Sequence, residues 1–281
     1  IPAFFSNRFR DDKRILSVIA AVVIVIFFVP YTASGFAACG KLFNSLFEIN
    51  YGTAMIVSAF VIILYTALGG FLAASTSDFM QSVVMTIAIF VVIIFGVTSV
   101  GGMDVVMDNA KSMTGYFSLT NTYNAEAGAA SPYAALSIAS AFAWGLGYFG
   151  MPHILLRFMA IEDENKIKLS RRIASVWVVI AMAIALFIGI MGYSMSKANV
   201  IPALEGSATE TVIVQIANAL SQNGIFFAII SGVILAGILA STMSTSDSQL
   251  LAASSSVTEN LMDGVFGVKL SDKAKVIVAR C

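Results

Sequence analysis

The chain has 281 residues, with 16 Lys and Arg against 16 Asp and Glu; it is 58% hydrophobic and only 11% charged. Soluble domains carry roughly a quarter charged residues, and a mean hydropathy of +0.90 excludes an ordinary water-soluble fold. A net charge of zero leaves no electrostatic footprint for nucleic acid.

A bilayer crossing needs about 20 apolar residues. Six segments qualify, at 15–36, 51–74, 79–100, 133–155, 173–194 and 224–254, so the chain reads as an all-α membrane protein with one transmembrane unit over 1–281. The first span contains Pro30, which predicts a kink whose freed carbonyl is satisfied by a neighbouring helix. The short run Ser75-Thr-Ser-Asp78 predicts a turn between the second and third spans, with Asp78 either a cap or a functional acid at the membrane edge. Residues 103–132 read as a long polar loop, and 211–220 as a short surface helix with apolar positions at helical spacing. The loop 157–172, with both signs of charge, reads as a solvated helical hairpin.

Placement of the basic residues sets the orientation. Arg8, Arg10, Lys13 and Arg14 precede the first span, Arg157, Lys166, Lys168, Arg171 and Arg172 follow the fourth, and Lys269, Lys273, Lys275 and Arg280 follow the sixth. These thirteen lie on one side, assigned to the cytoplasm, and an even number of crossings agrees with that alternation. Cys39 and Cys281 have no metal spacing and would lie on opposite sides of the bilayer, so both are expected as free thiols. The first residues, Ile-Pro-Ala, and the run 275–281 read as the edges of a fragment of a longer carrier.

Two constellations carry chemistry. The fourth span is interrupted by Gly145, Gly147, Gly150 and Pro152, and a broken helix persists in lipid only where it lines a protein cavity. Trp144 and Tyr148 are four apart and share a helical face, which suits a small zwitterion stacked on an aromatic wall; the plainer reading is packing or an interfacial aromatic belt. On the sixth span, Ser241, Ser244, Thr245 and Ser248 form one continuous stripe. Such hydroxyls, with a freed carbonyl, can ligate a hard cation like sodium, or can hold helices together and bond back to their own backbone. Asp247, in the same run, is an intramembrane acid that belongs to the ion site or to a cytoplasmic vestibule. His153 reads as packing or gate lining, or as a proton relay. No hydrolytic or phosphate-binding motif is present in the sequence, so an enzyme has no residues to stand on.

The runs Ile62-Ile-Leu-Tyr-Thr-Ala-Leu-Gly-Gly-Phe-Leu-Ala-Ala-Ser75, Trp144-Gly-Leu-Gly-Tyr-Phe-Gly-Met-Pro-His-Ile-Leu-Leu-Arg-Phe-Met-Ala160 and Met243-Ser-Thr-Ser-Asp-Ser-Gln-Leu-Leu251 closely resemble the sodium/solute symporter family, and within it the bacterial sodium/proline symporters, over essentially the whole chain. The resemblance implies a partial leucine-transporter-type inverted-repeat bundle, with core helices three to eight. It implies substrate contacts at Trp144, Gly147, Tyr148 and Pro152, and sodium at Ser244 and Thr245 with Ser241 as a carbonyl donor. Asp78 matches an acid linked to sodium, and Asp247 and Ser248 match a second sodium position where hydroxyls are usual. Asp247 is a departure there, which leaves one or two ions open.

The expectation is therefore a sodium-coupled secondary active transporter importing a small amino acid, most of all L-proline, by alternating access. Its partners are the solute, sodium and the lipid bilayer, with no cofactor beyond sodium as coupling ion. It would be multi-pass in the cell membrane, the inner membrane of a Gram-negative source. The alternatives are another small organic solute, the membrane module of a sensor, or a passive channel. The remaining core helices lie outside these residues, and the isolated chain is expected to show no transport.

Overall fold

The computed structural model describes residues 1–124, 127–148, 150–263, 268 and 271–280. Lys269 and Cys281, named above, lie outside the described residues. The helices are α1 (Pro2–Phe9), α2 (Ile15–Phe47), α3 (Tyr51–Ser99), α4 (Met103–Lys111), α5 (Ala135–Tyr148), α6 (Pro152–Met159), α7 (Ile167–Lys197), α8 (Val212–Ser221), α9 (Ile225–Ser255) and α10 (Asp272–Arg280). A π-helical turn, Ser256–Asp263, extends α9. Among the described residues, α2, α3, the stretch through α7 and the stretch through α9 are long and apolar enough to cross a membrane.

The expected turn at 75–78 is not there. Those residues are helical, and the break falls at Gly70, whose backbone (φ 60°, ψ −156°) is non-helical inside the 49 residues of α3. A straight helix of that length would run about 73 Å, well beyond a hydrocarbon core of about 30 Å. The helix thus breaks at the Gly69-Gly70 pair, inside the expected segment 51–74 and not between it and 79–100. Of the hydroxyls that suggested a turn, that of Thr76 bonds back to its own helix, donating to the Leu72 carbonyl at 2.9 Å. Asp78 accordingly sits within the helix and caps nothing. α2 continues through Pro30, with the Thr32 hydroxyl donating to the Phe28 carbonyl at 2.9 Å.

The fourth expected span, 133–155, is divided. α5 ends at Tyr148 and α6 starts at Pro152, a residue that suits a first helical position because its missing N–H has no partner there anyway. Gly150 N–H donates to the Gly147 carbonyl at 3.1 Å across the gap. The long loop is more ordered than its composition suggested. α4 buries Val106 and Ala110, and β1 (Asn121–Asn124) pairs antiparallel with β2 (Ala129–Pro132), Asn121 opposite Pro132. The loop after α6 is short, since the 3-10 turn Glu164–Lys166 leads straight into α7.

The chain forms two compact units. The first holds Ile1–Val83, Pro152–Ala160 and Ile238–Cys281, and the second holds Val84–Met151 and Ile161–Gly237. In the first, α2 and the later part of α9 approach closely: a methyl added at Gly35 would strike the Ser246 hydroxyl. Ile24, Phe28 and Ala252 form a small apolar cluster that Leu156 of α6 joins. Cys39, buried in this unit, is a free thiol. In the second unit, Val92, Val106, Met191, Met195, Ile216 and Leu220 lie in the core. The Met191 side chain fills the space a residue larger than Gly96 would need, and Trp177 Nε1 donates to Thr86 Oγ1 at 3.2 Å. The Ser231 hydroxyl ties α9 to α8 by donating to the Ala217 carbonyl at 2.7 Å.

Candidate functional site

The polar run of α9 lies in the first unit and supplies most of the candidate ion residues. Asp247 is 0% exposed. A charge there is tolerable only if its oxygens are satisfied, and both are. Tyr65 OH, from α3, donates to Oδ2 at 2.8 Å, and the Ser248 hydroxyl lies 3.0 Å from Oδ1. The same hydroxyl is 3.0 Å from the Ser244 carbonyl, so its single proton has two acceptors in reach.

Asp78 is joined to this group by Arg157 of α6. Arg157 Nη2 donates to Asp78 Oδ2 and to Ser248 Oγ, so one guanidinium connects α3, α6 and α9. Asp78 Oδ1 is buried and has no hydrogen-bond partner among the described residues. One turn before Arg157, the His153 ring packs edge-on against Phe28 at 5.4 Å between centroids. One turn beyond Asp247 in the other direction, the hydroxyl stripe continues. The Ser244 and Thr245 hydroxyls both donate to the Ser241 carbonyl, at 3.1 and 3.3 Å. α9 is unbroken at this point, so the Ser241 carbonyl is occupied by side-chain hydroxyls and is not freed by a backbone gap.

The charge count of this cluster is what distinguishes it. Asp78 and Asp247 bring two negative charges, and Arg157 brings one positive. Among the described residues no cationic side chain pairs with Asp247, whose partners are neutral hydroxyls. Among the described residues, too, no trio of His, Cys, Asp or Glu is gathered, which leaves carboxylate and hydroxyl oxygens, ligands for hard cations rather than soft metals.

Next to this cluster, α2 and α9 share a second polar contact. Thr32 Oγ1 lies 3.3 Å from Gln249 Oε1, with Gln249 1% exposed and its Nε2 unbonded among the described residues. Tyr65, Arg157, Thr32 and Gln249 were not among the residues singled out from sequence for the ion site. A buried acid announces that it needs donors, but not which donors, and Tyr65 stands 182 positions from Asp247.

The candidate substrate residues divide between the units. Trp144, Gly147 and Tyr148 close α5 in the second unit, whereas Pro152 opens α6 in the first. The Trp144 and Tyr148 rings meet at 6.2 Å between centroids, tilted by 59°, as their four-residue spacing requires. They are 57% and 54% exposed.

Comparison with known proteins gives a consistent result. The model of the sodium:solute symporter family matches residues 1–280. Sodium/proline symporter 2 of Staphylococcus saprophyticus is 38% identical over 276 residues, covering 98% of this chain and 50% of that protein. The high-affinity proline transporter PutP of Bacillus subtilis is 36% identical over 280 residues, 100% of this chain and 56% of its own length. The osmoregulated proline transporter OpuE of the same organism is 35% identical over 280 residues, covering 100% and 54%. The chain spans about half the length of the curated relatives it matches. No solved structure matches it.

Proposed function

Because the chain belongs to the sodium:solute symporter family, we propose that it forms part of a sodium-coupled carrier that imports a small amino acid, L-proline above all, by alternating access. It is a multi-pass protein of the cell membrane, with helices long and apolar enough to cross it. The cargo reading draws support from the relatives named for proline, which cover the whole chain.

The observation that carries the ion coupling is the buried, oxygen-lined cluster around Asp247 with its uncompensated negative charge. An intramembrane carboxylate is expensive unless it serves a cation or a proton. In this reading Ser241, Ser244 and Thr245 hold a sodium ion, and Asp78, Asp247 and Ser248 form the second sodium position, with a stoichiometry of one or two ions per solute. Trp144, Gly147, Tyr148 and Pro152 at the divided helix receive the solute, the aromatics against its apolar ring and backbone dipoles toward its charged ends. Filling the ion positions favours a state that captures solute from outside, and rearrangement then opens both inward. The energetics suffice. One charge crossing 100 mV releases about 2.3 kcal/mol, and a tenfold sodium gradient adds about 1.4 kcal/mol. Together these sustain accumulation of several hundredfold at one ion per solute.

The test is uptake of labelled proline by the full-length protein in membrane vesicles, with and without a sodium gradient, in competition with a panel of amino acids, sugars and carboxylates. Sodium-dependent, saturable proline uptake is expected. If another solute competes and proline does not, the cargo reading fails and the carrier reading stands; conduction without saturation or sodium dependence removes both.

A further inference from the structure

α6 is a short helix that belongs to a different unit from its neighbours in sequence. It has eight residues, is flanked by non-helical residues at 150–151 and 160–163, and belongs to the first unit while the stretches on either side, Val84–Met151 and Ile161–Gly237, belong to the second. Its apolar attachment is modest, Leu156 on the Ile24 and Phe28 cluster and the His153 ring on Phe28. Its polar attachment is Arg157, seated on Asp78 and Ser248.

Those two acceptors belong to the oxygen set assigned above to the second sodium ion, so the guanidinium stands where a cation belongs. We propose that Arg157 is a built-in counter-ion: it supplies one of the two positive charges that Asp78 and Asp247 require and thereby limits this cluster to one mobile monovalent cation. The inference rests on the carrier reading and fixes the ion count of that same site.

The physical argument is charge balance in a poorly screened interior. Two buried carboxylates near one another repel strongly where the dielectric is low, and each unpaired charge carries a large desolvation penalty. The pair is stable only when nearby positive charge approaches two. Arg supplies one without ever losing its proton, and its planar fork fits two oxygen acceptors from different helices at once. The remaining negative charge belongs with Asp247, whose direct partners, Tyr65 and Ser248, are neutral. One small cation balances it, and a second has no charge left to balance. Arg157 is therefore a positioning residue, acting on the ion through the carboxylates and not by touching the solute.

The experiment counts bound ions as charge is edited. The full-length protein, purified in detergent, is titrated with radioactive sodium, and the stoichiometry at saturation is compared among variants. Arg157→Gln leaves two acids with no fixed cation, and is expected to bind one sodium ion more than the unaltered protein and to show a steeper sodium activation of uptake. Asp78→Asn leaves Arg157 and Asp247 balanced, and is expected to bind one fewer. The double variant, Asp78→Asn with Arg157→Gln, restores the original net charge while removing the whole ion pair, and is expected to return to the original count. Arg157→Lys keeps the charge and is expected to keep the count.

A purely structural Arg157 would leave the count unchanged in Arg157→Gln, and a ligand-counting site would leave the double variant as poor as Asp78→Asn. Either result overturns the proposal. If Arg157→Gln does not purify, the comparison of Asp78→Asn with the double variant decides alone. Absence of sodium binding by the unaltered protein would instead sink the carrier reading itself, so the two failures are distinguishable.

Discussion

Replacing Gly70 by Ala separates a broken α3 from a continuous one by the sign of a stability change. A Cβ built at Gly70 meets nothing within 4 Å, so crowding contributes nothing. The backbone there, φ 60° and ψ −156°, lies in a region open essentially to glycine alone, where a side chain costs of order 1–3 kcal/mol. In an ordinary helix the same replacement would instead stabilise, by roughly 0.5–1 kcal/mol. Gly232 in α9 is the matched control, since its added Cβ also meets open space and its φ is not positive. In thermal unfolding of the full-length protein in detergent, Tm should therefore fall for Gly70→Ala and rise slightly for Gly232→Ala, by less per kcal/mol than the roughly 2–4 °C of a 150–250-residue chain. A Gly70→Ala protein at least as stable as its parent would refute the break and make 51–99 one regular rod.

Tyr65→Phe removes the phenol that donates to Asp247; a hydrogen bond to a charged group contributes about 1.5–3 kcal/mol. Tm should fall, and much less so in an Asp247→Asn background, with full additivity in that cycle counting against the contact. Among the described residues, the Ser244 and Thr245 hydroxyls bond only to the Ser241 carbonyl of their own helix. Ser244→Ala and Thr245→Ala should thus leave the fold intact and raise the sodium concentration for half-maximal uptake severalfold, about 1 kcal/mol per lost ligand. Unchanged sodium dependence in both would remove them from the ion site. Tyr148→Ala should weaken apparent proline affinity about two- to tenfold, matching the roughly 0.5–1.5 kcal/mol expected of an aromatic contact beyond its buried area. A larger effect on sodium activation than on proline would place the residue elsewhere. Gly35→Ala should destabilise by about 1–3 kcal/mol through overpacking against the Ser246 hydroxyl, measured by the same thermal scan.

Local chemistry was the readable part of this sequence. Glycines at 145, 147 and 150 with Pro152 mark the end of α5 and the start of α6, because proline and glycine act on the backbone where they stand. The hydroxyl stripe and Asp247 were equally visible, since a helix places i, i+3, i+4 and i+7 on one face. Contacts made across the chain were not. Arg157 reads as one more cytoplasmic basic residue until α3 and α9 bring Asp78 and Ser248 to it. The misplaced turn at 75–78 has a physical reason of its own. Ser and Thr favour turns by offering side-chain hydrogen bonds to the backbone, yet the same bonds can be made inside a helix to the carbonyl four residues back, as Thr76 does. The neighbouring Gly69-Gly70 pair held the stronger signal.

The uneven composition of α9 also bears on how the protein is made. Its opening stretch, Ile-Phe-Phe-Ala-Ile-Ile-Ser-Gly-Val-Ile-Leu-Ala, leaves the ribosome before Asp247 does. During insertion by the translocon, an Asp at mid-helix costs about 2.5–3.5 kcal/mol, and each Leu, Ile, Phe or Val returns about 0.3–0.6 kcal/mol. The ten such residues already delivered, at 225–227, 229, 230, 233–235, 238 and 239, are enough to hold the segment in lipid while the acid follows. Biogenesis can thus place a charge in the bilayer before the Tyr65 hydroxyl has closed on it.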